Sequence, residues 1–151
     1  MFGTRGFFFT KRTAGFQPAF PSLGKRLDLH IIFDINETVN YEVELLEPAV
    51  TFVEKLALKM RAKVFRTIGL LERFGPQLPA PHAKTLKGCG GLKELRVKLG
   101  SNIVRLFYFH DKGKVYVLTS GYVKKTQKTN RQEIDRAVRL MNEYSRGKEN
   151  D

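Results

Sequence analysis

Between positions 121 and 137 the chain reads GYVKKTQKTNRQEIDRA, which puts Lys124, Lys125, Lys128 and Arg131 within eight residues and no acid among them. Further upstream, Arg96 and Lys98 alternate with apolar residues in LKELRVKL (92–99), and Arg105 lies inside IVRLFYFH (103–110). Side chains of these types handle phosphate. Arginine grips two phosphate oxygens at once through its planar fork, and lysine brings a mobile point charge. Each phosphate neutralised releases counterions, so binding by such a set weakens steeply as salt rises. Tyr108, Tyr116 and Tyr122 add stacking faces for unpaired bases if they are exposed, and core packing if they are not.

The charge is concentrated. The 151 residues carry a net +12, yet residues 84–131 alone hold 12 lysines and arginines against two acids, Glu94 and Asp111. A field of one sign packed into a third of the chain faces a polyanion. Nucleic acid is the leading partner, an acidic protein surface fits the same field, and a solvated basic face needs no partner at all. Other chemistries lack their residues. His30, His82 and His110 are scattered, Cys89 is the single cysteine, and the basic region has only two carboxylates. No metal site and no cofactor are therefore expected. One cysteine rules out an internal disulfide and suits a reducing cytoplasm. No apolar run approaches the ~18 residues of a membrane span, so no membrane association is expected.

The cations need elements to position them, and the hydrophobic pattern supplies these. YEVELL (41–46) alternates as a half-buried strand does. From Val50, apolar residues recur at Val53, Leu56, Ala57, Met60, Val64, Ile68 and Leu71, which predicts two short helices or one bent helix ending near Gly75-Pro76. GPQLPAPHAK (75–84) is expected to be an irregular connection because of its prolines. Three strands follow at 92–99, 103–110 and 115–123, joined by tight turns at Gly100-Ser101-Asn102 and at Asp111-Lys112-Gly113-Lys114. Asn130, with Glu133 three residues on, marks a helix start, and Ile134, Ala137, Val138 and Met141 mark its buried stripe. The order β-α-α-β-β-β-α predicts an α+β domain with a largely antiparallel sheet. Period 2 sets Arg96 and Lys98 opposite Leu95 and Val97, and Arg105 opposite Val104 and Leu106. A hairpin at Gly100 then brings Arg96 and Arg105 to one region of the sheet, beside the exit of Lys124 and Lys125.

GLKELRVKLGSNIVRLFYF followed by SGYVKKTQKTNRQEIDRA resembles the RelE/ParE superfamily of type II toxin–antitoxin toxins, in particular its phage-derived HigB-like branch. The resemblance runs from about Tyr41 to Tyr144 and includes the loop GPQLPAPHAKTLKG. Asn130 departs from it, since the branch commonly has proline there. The resemblance implies a RelE-like α+β fold with a mainly antiparallel four-stranded sheet packed by helices. It implies a toxin domain over residues 38–146, a C-terminal tail over 147–151, and an N-terminal extension over 1–37. That extension has no counterpart in the branch and is expected to be poorly ordered, as from a misassigned start.

The function implied is a ribosome-dependent endoribonuclease that cleaves mRNA and inhibits translation in the cytoplasm. A cognate antitoxin, usually a small helix-turn-helix DNA-binding protein, would hold it in check. Relatives of the same fold act on DNA gyrase, and a basic nucleic-acid-binding module without catalysis would carry the same charges. For metal-free attack of a 2′-hydroxyl on phosphate, Arg96 and Arg105 are expected to offset charge in the transition state. Lys124 and Lys125 would bind the scissile phosphate, and one of them would serve as general base if neighbouring cations lower its pKa. Lys98, Tyr122, Lys128, Arg131 and His82 are the expected RNA contacts, His82 doubling as a candidate for proton transfer. Glu94 is either the orienting partner of Arg96 or a structural ion pair.

Overall fold

A computed structural model describes residues 40–125 and 130–151. The expected extension over 1–37 and the expected contact Lys128 lie outside the described residues. The elements are β1 (Glu42–Leu45), α1 (Glu47–Glu54), α2 (Leu58–Phe74), a 3₁₀ turn (Gly75–Gln77), β2 (Ala83–Thr85), β3 (Lys93–Leu99), β4 (Asn102–His110), β5 (Val115–Val123) and α3 (Arg131–Glu149). Pro48 stands in the first turn of α1, where its missing N–H costs nothing. Asn130 caps α3, its side-chain oxygen accepting the Gln132 N–H at 3.0 Å.

The sheet has five strands in the order β1-β5-β4-β3-β2, not four. The added strand is β2, from the end of the connection expected to be irregular. Its prolines stop at Pro81, so Ala83–Thr85 is free to pair antiparallel with residues 93–95 of β3. The sheet is mixed, because β1 at one edge lies parallel with β5 while all other pairings are antiparallel.

Each face of the sheet has its own helical cover. Val43, Leu45, Leu95, Val97, Val104, Leu106, Tyr108, Tyr116 and Leu118 pack with Val50, Val53, Met60, Val64, Ile68 and Leu71 of α1 and α2. On the opposite face Leu92, Phe107, Phe109 and Val117 lie under Ala137 and Met141 of α3. Each large aliphatic side chain buried this way stabilises the fold by roughly 1.5–3 kcal/mol.

An irregularity decides which β5 residues share the second face. The β4–β5 register shifts at Phe107/Tyr108, so Ser120 stands opposite Phe107 while Leu118 stands opposite Tyr108. One extra residue reverses the alternation. Tyr116 and Leu118 therefore face α1 and α2, whereas Tyr122 turns to the face of Phe107 and Arg105. Gly121 then comes under Phe52 of α1, with no space for a side chain: a Cβ there would sit 2.6 Å from the Phe52 ring.

α3 is pinned at its far end. The Tyr144 hydroxyl donates to Glu44 Oε1 at 2.8 Å and to Asp111 Oδ2 at 3.3 Å, and Lys148 pairs with the same Asp111 oxygen at 2.7 Å. Burial raises the Glu44 pKa, while the Tyr144 hydrogen bond and Lys148 pull it down. The helix thus covers the apolar part of its face.

Candidate functional site

Arg96 of β3 stands directly opposite Arg105 of β4, and Arg105 stands directly opposite Tyr122 of β5. The Arg96 N–H is given outward to the His82 carbonyl at 2.7 Å. Arg96 and Arg105 are therefore a non-hydrogen-bonded pair of the ladder, the class whose side chains approach most closely. Two like charges in that position repel, and an anion must offset them.

Glu94 is that anion. It lies two residues before Arg96 on the same face, and its Oε1 accepts from Arg96 Nε at 3.0 Å and from Arg105 Nη1 at 2.5 Å. Glu94 is 0% exposed, Arg105 is 9% exposed, and the Arg96 side chain is 29% exposed, so the three are graded from interior to surface. Burying a carboxylate this deeply is tolerated only because it is doubly paired. Of the two expected readings of Glu94, the contacts supply both at once: it is an ion-pair anchor, and it sets the direction of each guanidinium. Glu94 Oε2 and Arg105 Nε are buried without a hydrogen-bond partner among the described residues.

A cavity of about 240 Å³ opens beside this triad. Its lining takes Arg96, Val97 and Lys98 from β3, Ile103 and Arg105 from β4, Pro81 and His82 from the connection, and Lys63 and Thr67 from α2. Five of these nine side chains are basic or imidazole, and none is acidic. Thus four expected site residues, His82, Arg96, Lys98 and Arg105, come together around one space. Lys63 was not anticipated. In the sequence it looks like one more polar residue on an amphipathic helix, and no local pattern separates it from Lys59 or Arg66.

Lys124 follows β5 and extends its pairing, its N–H donating to the Ile103 carbonyl at 2.8 Å. Its ammonium pKa is lowered, first by partial desolvation and then by the charges of Arg105, Arg96 and Lys84, with Glu94 acting in the opposite sense. Through its backbone bond Lys124 leaves β5 beside Ile103, which lines the cavity, while Lys124 itself is not among the lining residues. Lys125, next along, is exposed and is not part of the cavity lining. Arg131 is separate as well. It lies on the first turn of α3, and its Nε pairs with Asp135 at 3.1 Å on the same helix, a solvent-exposed contact.

The tyrosines divide. Tyr108 and Tyr116 are each 2% exposed and pack edge to face at 5.7 Å, so neither offers a stacking face to a base. Burial pushes the Tyr108 hydroxyl up to about 12. Tyr122 is half-buried and stacks on Phe107 at 5.7 Å, next to the arginine pair. Among the described residues, no three His, Cys, Asp or Glu side chains gather as a metal ion would require. None of the helices there is long and apolar enough to cross a membrane.

The sequence profile of the family described as phage-derived protein Gp49-like (DUF891) matches residues 51–142. That span covers more than half of the chain and runs from α1 into α3, including every residue that lines the cavity. No curated protein matches this chain.

Proposed function

This chain belongs to the phage-derived Gp49-like family, a family of RelE- and toxin-like proteins, and on that premise we propose that it is the HigB-like toxin of a type II toxin–antitoxin pair. In this reading it is an endoribonuclease that cuts mRNA on the ribosome, and a cognate antitoxin masks it. The observation that carries the reading is the Arg96–Arg105 pair, held by the buried carboxylate of Glu94 at the wall of a cavity with a cationic lining.

The chemistry needs no group from outside the chain and substrate. The 2′-hydroxyl oxygen of one nucleotide attacks the adjacent phosphorus, and the bond from phosphorus to the 5′-oxygen breaks. The products are a 2′,3′-cyclic phosphate and a free 5′-hydroxyl. Lys124, its pKa lowered, takes the proton from the 2′-hydroxyl. Arg96 and Arg105 offset the charge that builds on the non-bridging oxygens, where prealigned donors are worth most. His82 delivers a proton to the departing 5′-oxygen, and Lys125 holds the backbone nearby. Glu94 is a positioning residue, since it acts through the two arginines.

Primer extension on translated transcripts after brief induction tests the reading. The expected result is discrete cleavage within codons, lost in Arg96→Ala with the protein still folded. DNA damage signalling without mRNA cleavage would move the target to gyrase. Absence of both effects would leave a binding module and defeat the proposal.

A further inference from the structure

The phosphate site implied by Arg96 and Arg105 occupies only part of the cavity. Lys98 lies two residues beyond Arg96 on the same face of β3, a displacement of about 6.7 Å along the strand. That is the scale on which adjacent phosphates repeat along an extended single strand. At this point β3 is an open edge among the described residues. β2 pairs with it only as far as Leu95, and the His82 carbonyl then takes the Arg96 N–H. By the alternation of a strand, the Lys98 N–H points to that same open edge.

Across the edge stands Lys63, which reaches the cavity from α2. α2 packs on the other face of the sheet, so the cavity folds around the rim of β3 and has cations on both banks. Glu94 neutralises Arg96 and Arg105 in part, but no acid is among the residues that line the cavity Lys63 and Lys98 share. Cations gathered without an acid among them favour an anionic ligand there.

We infer that Lys63 and Lys98 form a second phosphate subsite, which holds the neighbouring phosphate of a single-stranded RNA whose scissile phosphate lies at Arg96 and Arg105. The substrate is then a strand that presents at least two consecutive phosphates, led around the edge of β3 towards α2. The inference rests on the reading of the arginine pair as a phosphate site.

Binding of a fluorescein-labelled, single-stranded 2′-O-methyl RNA oligonucleotide tests it, because that probe cannot be cleaved by 2′-oxygen attack. Anisotropy is measured over a range of salt for the full chain, for Lys63→Gln, for Arg96→Ala, and for Lys59→Gln as a control on an exposed lysine of the same helix. Lys63→Gln should flatten the slope of log affinity against log salt by ~0.7, the contribution of one single-strand phosphate. Lys59→Gln should leave the slope near that of the parent. If Lys63→Gln behaves like Lys59→Gln while Arg96→Ala flattens the slope, the second subsite is wrong and the first stands. If the parent chain does not bind the probe, both are wrong.

Discussion

Arg105 donates through Nη1 to Glu94 Oε1 at 2.5 Å, with the carboxylate wholly inside the protein and the guanidinium nearly so. The same oxygen also holds the more exposed Arg96. One buried acid therefore governs the direction of two cations, but the two do not depend on it equally. Removing Glu94 leaves Arg105 charged and buried; removing Arg96 leaves the Glu94–Arg105 pair intact.

Glu94→Ala is thus expected to destabilise the fold by about 3 kcal/mol, the scale of breaking a buried pair on one side. Arg96→Ala is expected to cost about 1 kcal/mol or less, as for a partly exposed pair. Urea unfolding of the two variants measures both. Equal losses would show that Glu94 is not the anchor described.

Lys124 carries a pH prediction. Its ammonium pKa is lowered by desolvation and by Arg105, Arg96 and Lys84, and only the neutral amine accepts a proton. In the proposed reaction, cleavage should rise with pH and level off below the ordinary lysine range. Lys124→Arg, which stays charged, should lose ~100-fold or more, the lower end of what a positioned base contributes. Lys125→Arg should keep most of the rate, because its part requires only charge. Similar losses in both would assign the base elsewhere.

Glu72 gives a second pH dependence, remote from the cavity. Burial, with the Glu42 charge adding to it, pushes its carboxyl up to about 7 from 4.5. A carboxyl that holds its proton more tightly folded than unfolded favours the fold at low pH. That contribution is present below the unfolded value and is lost as pH rises through about 7. Glu72→Gln should remove the loss, so that its melting temperature exceeds the parent's by more at pH 8 than at pH 5. After allowance for solvent screening the difference is on the order of 1 kcal/mol.

Gly121→Ala is expected to destabilise by about 1–3 kcal/mol, the range for overpacking. The new methyl would meet the Phe52 ring at 2.6 Å and Leu106 Cδ2 at 2.7 Å. Phe52→Leu in the same chain should recover part of the loss, and thermal melts of the single and double variants show whether it does.

Much of the frame around these residues was legible in the chain. The strands over 92–99, 103–110 and 115–123 declared themselves by alternation and tight glycine turns, and they stand within a residue of their observed bounds. Asn130 marked the start of α3 for the reason seen in its bond to Gln132. A short hairpin loop ties register to turn length, and that is why Arg96 and Arg105 could be set together in advance. β2 was not legible: three residues after a run of prolines carry no period. The burial of Tyr108 and Tyr116, and the opposite facing of Tyr122, were also hidden, because a one-residue shift in the β4–β5 ladder has no signature in composition.

The sequence by itself determined the elements, their amphipathic faces and the concentration of positive charge, because each depends on neighbours a few residues away. Only the tertiary structure decided that Glu94 is buried beneath two arginines, that Lys63 of α2 reaches the cavity they border, and that Arg131 does not line it. Those facts depend on how α2, β3 and α3 cross one another. The crossing is set by packing summed over both sheet faces, which no single stretch of the chain encodes.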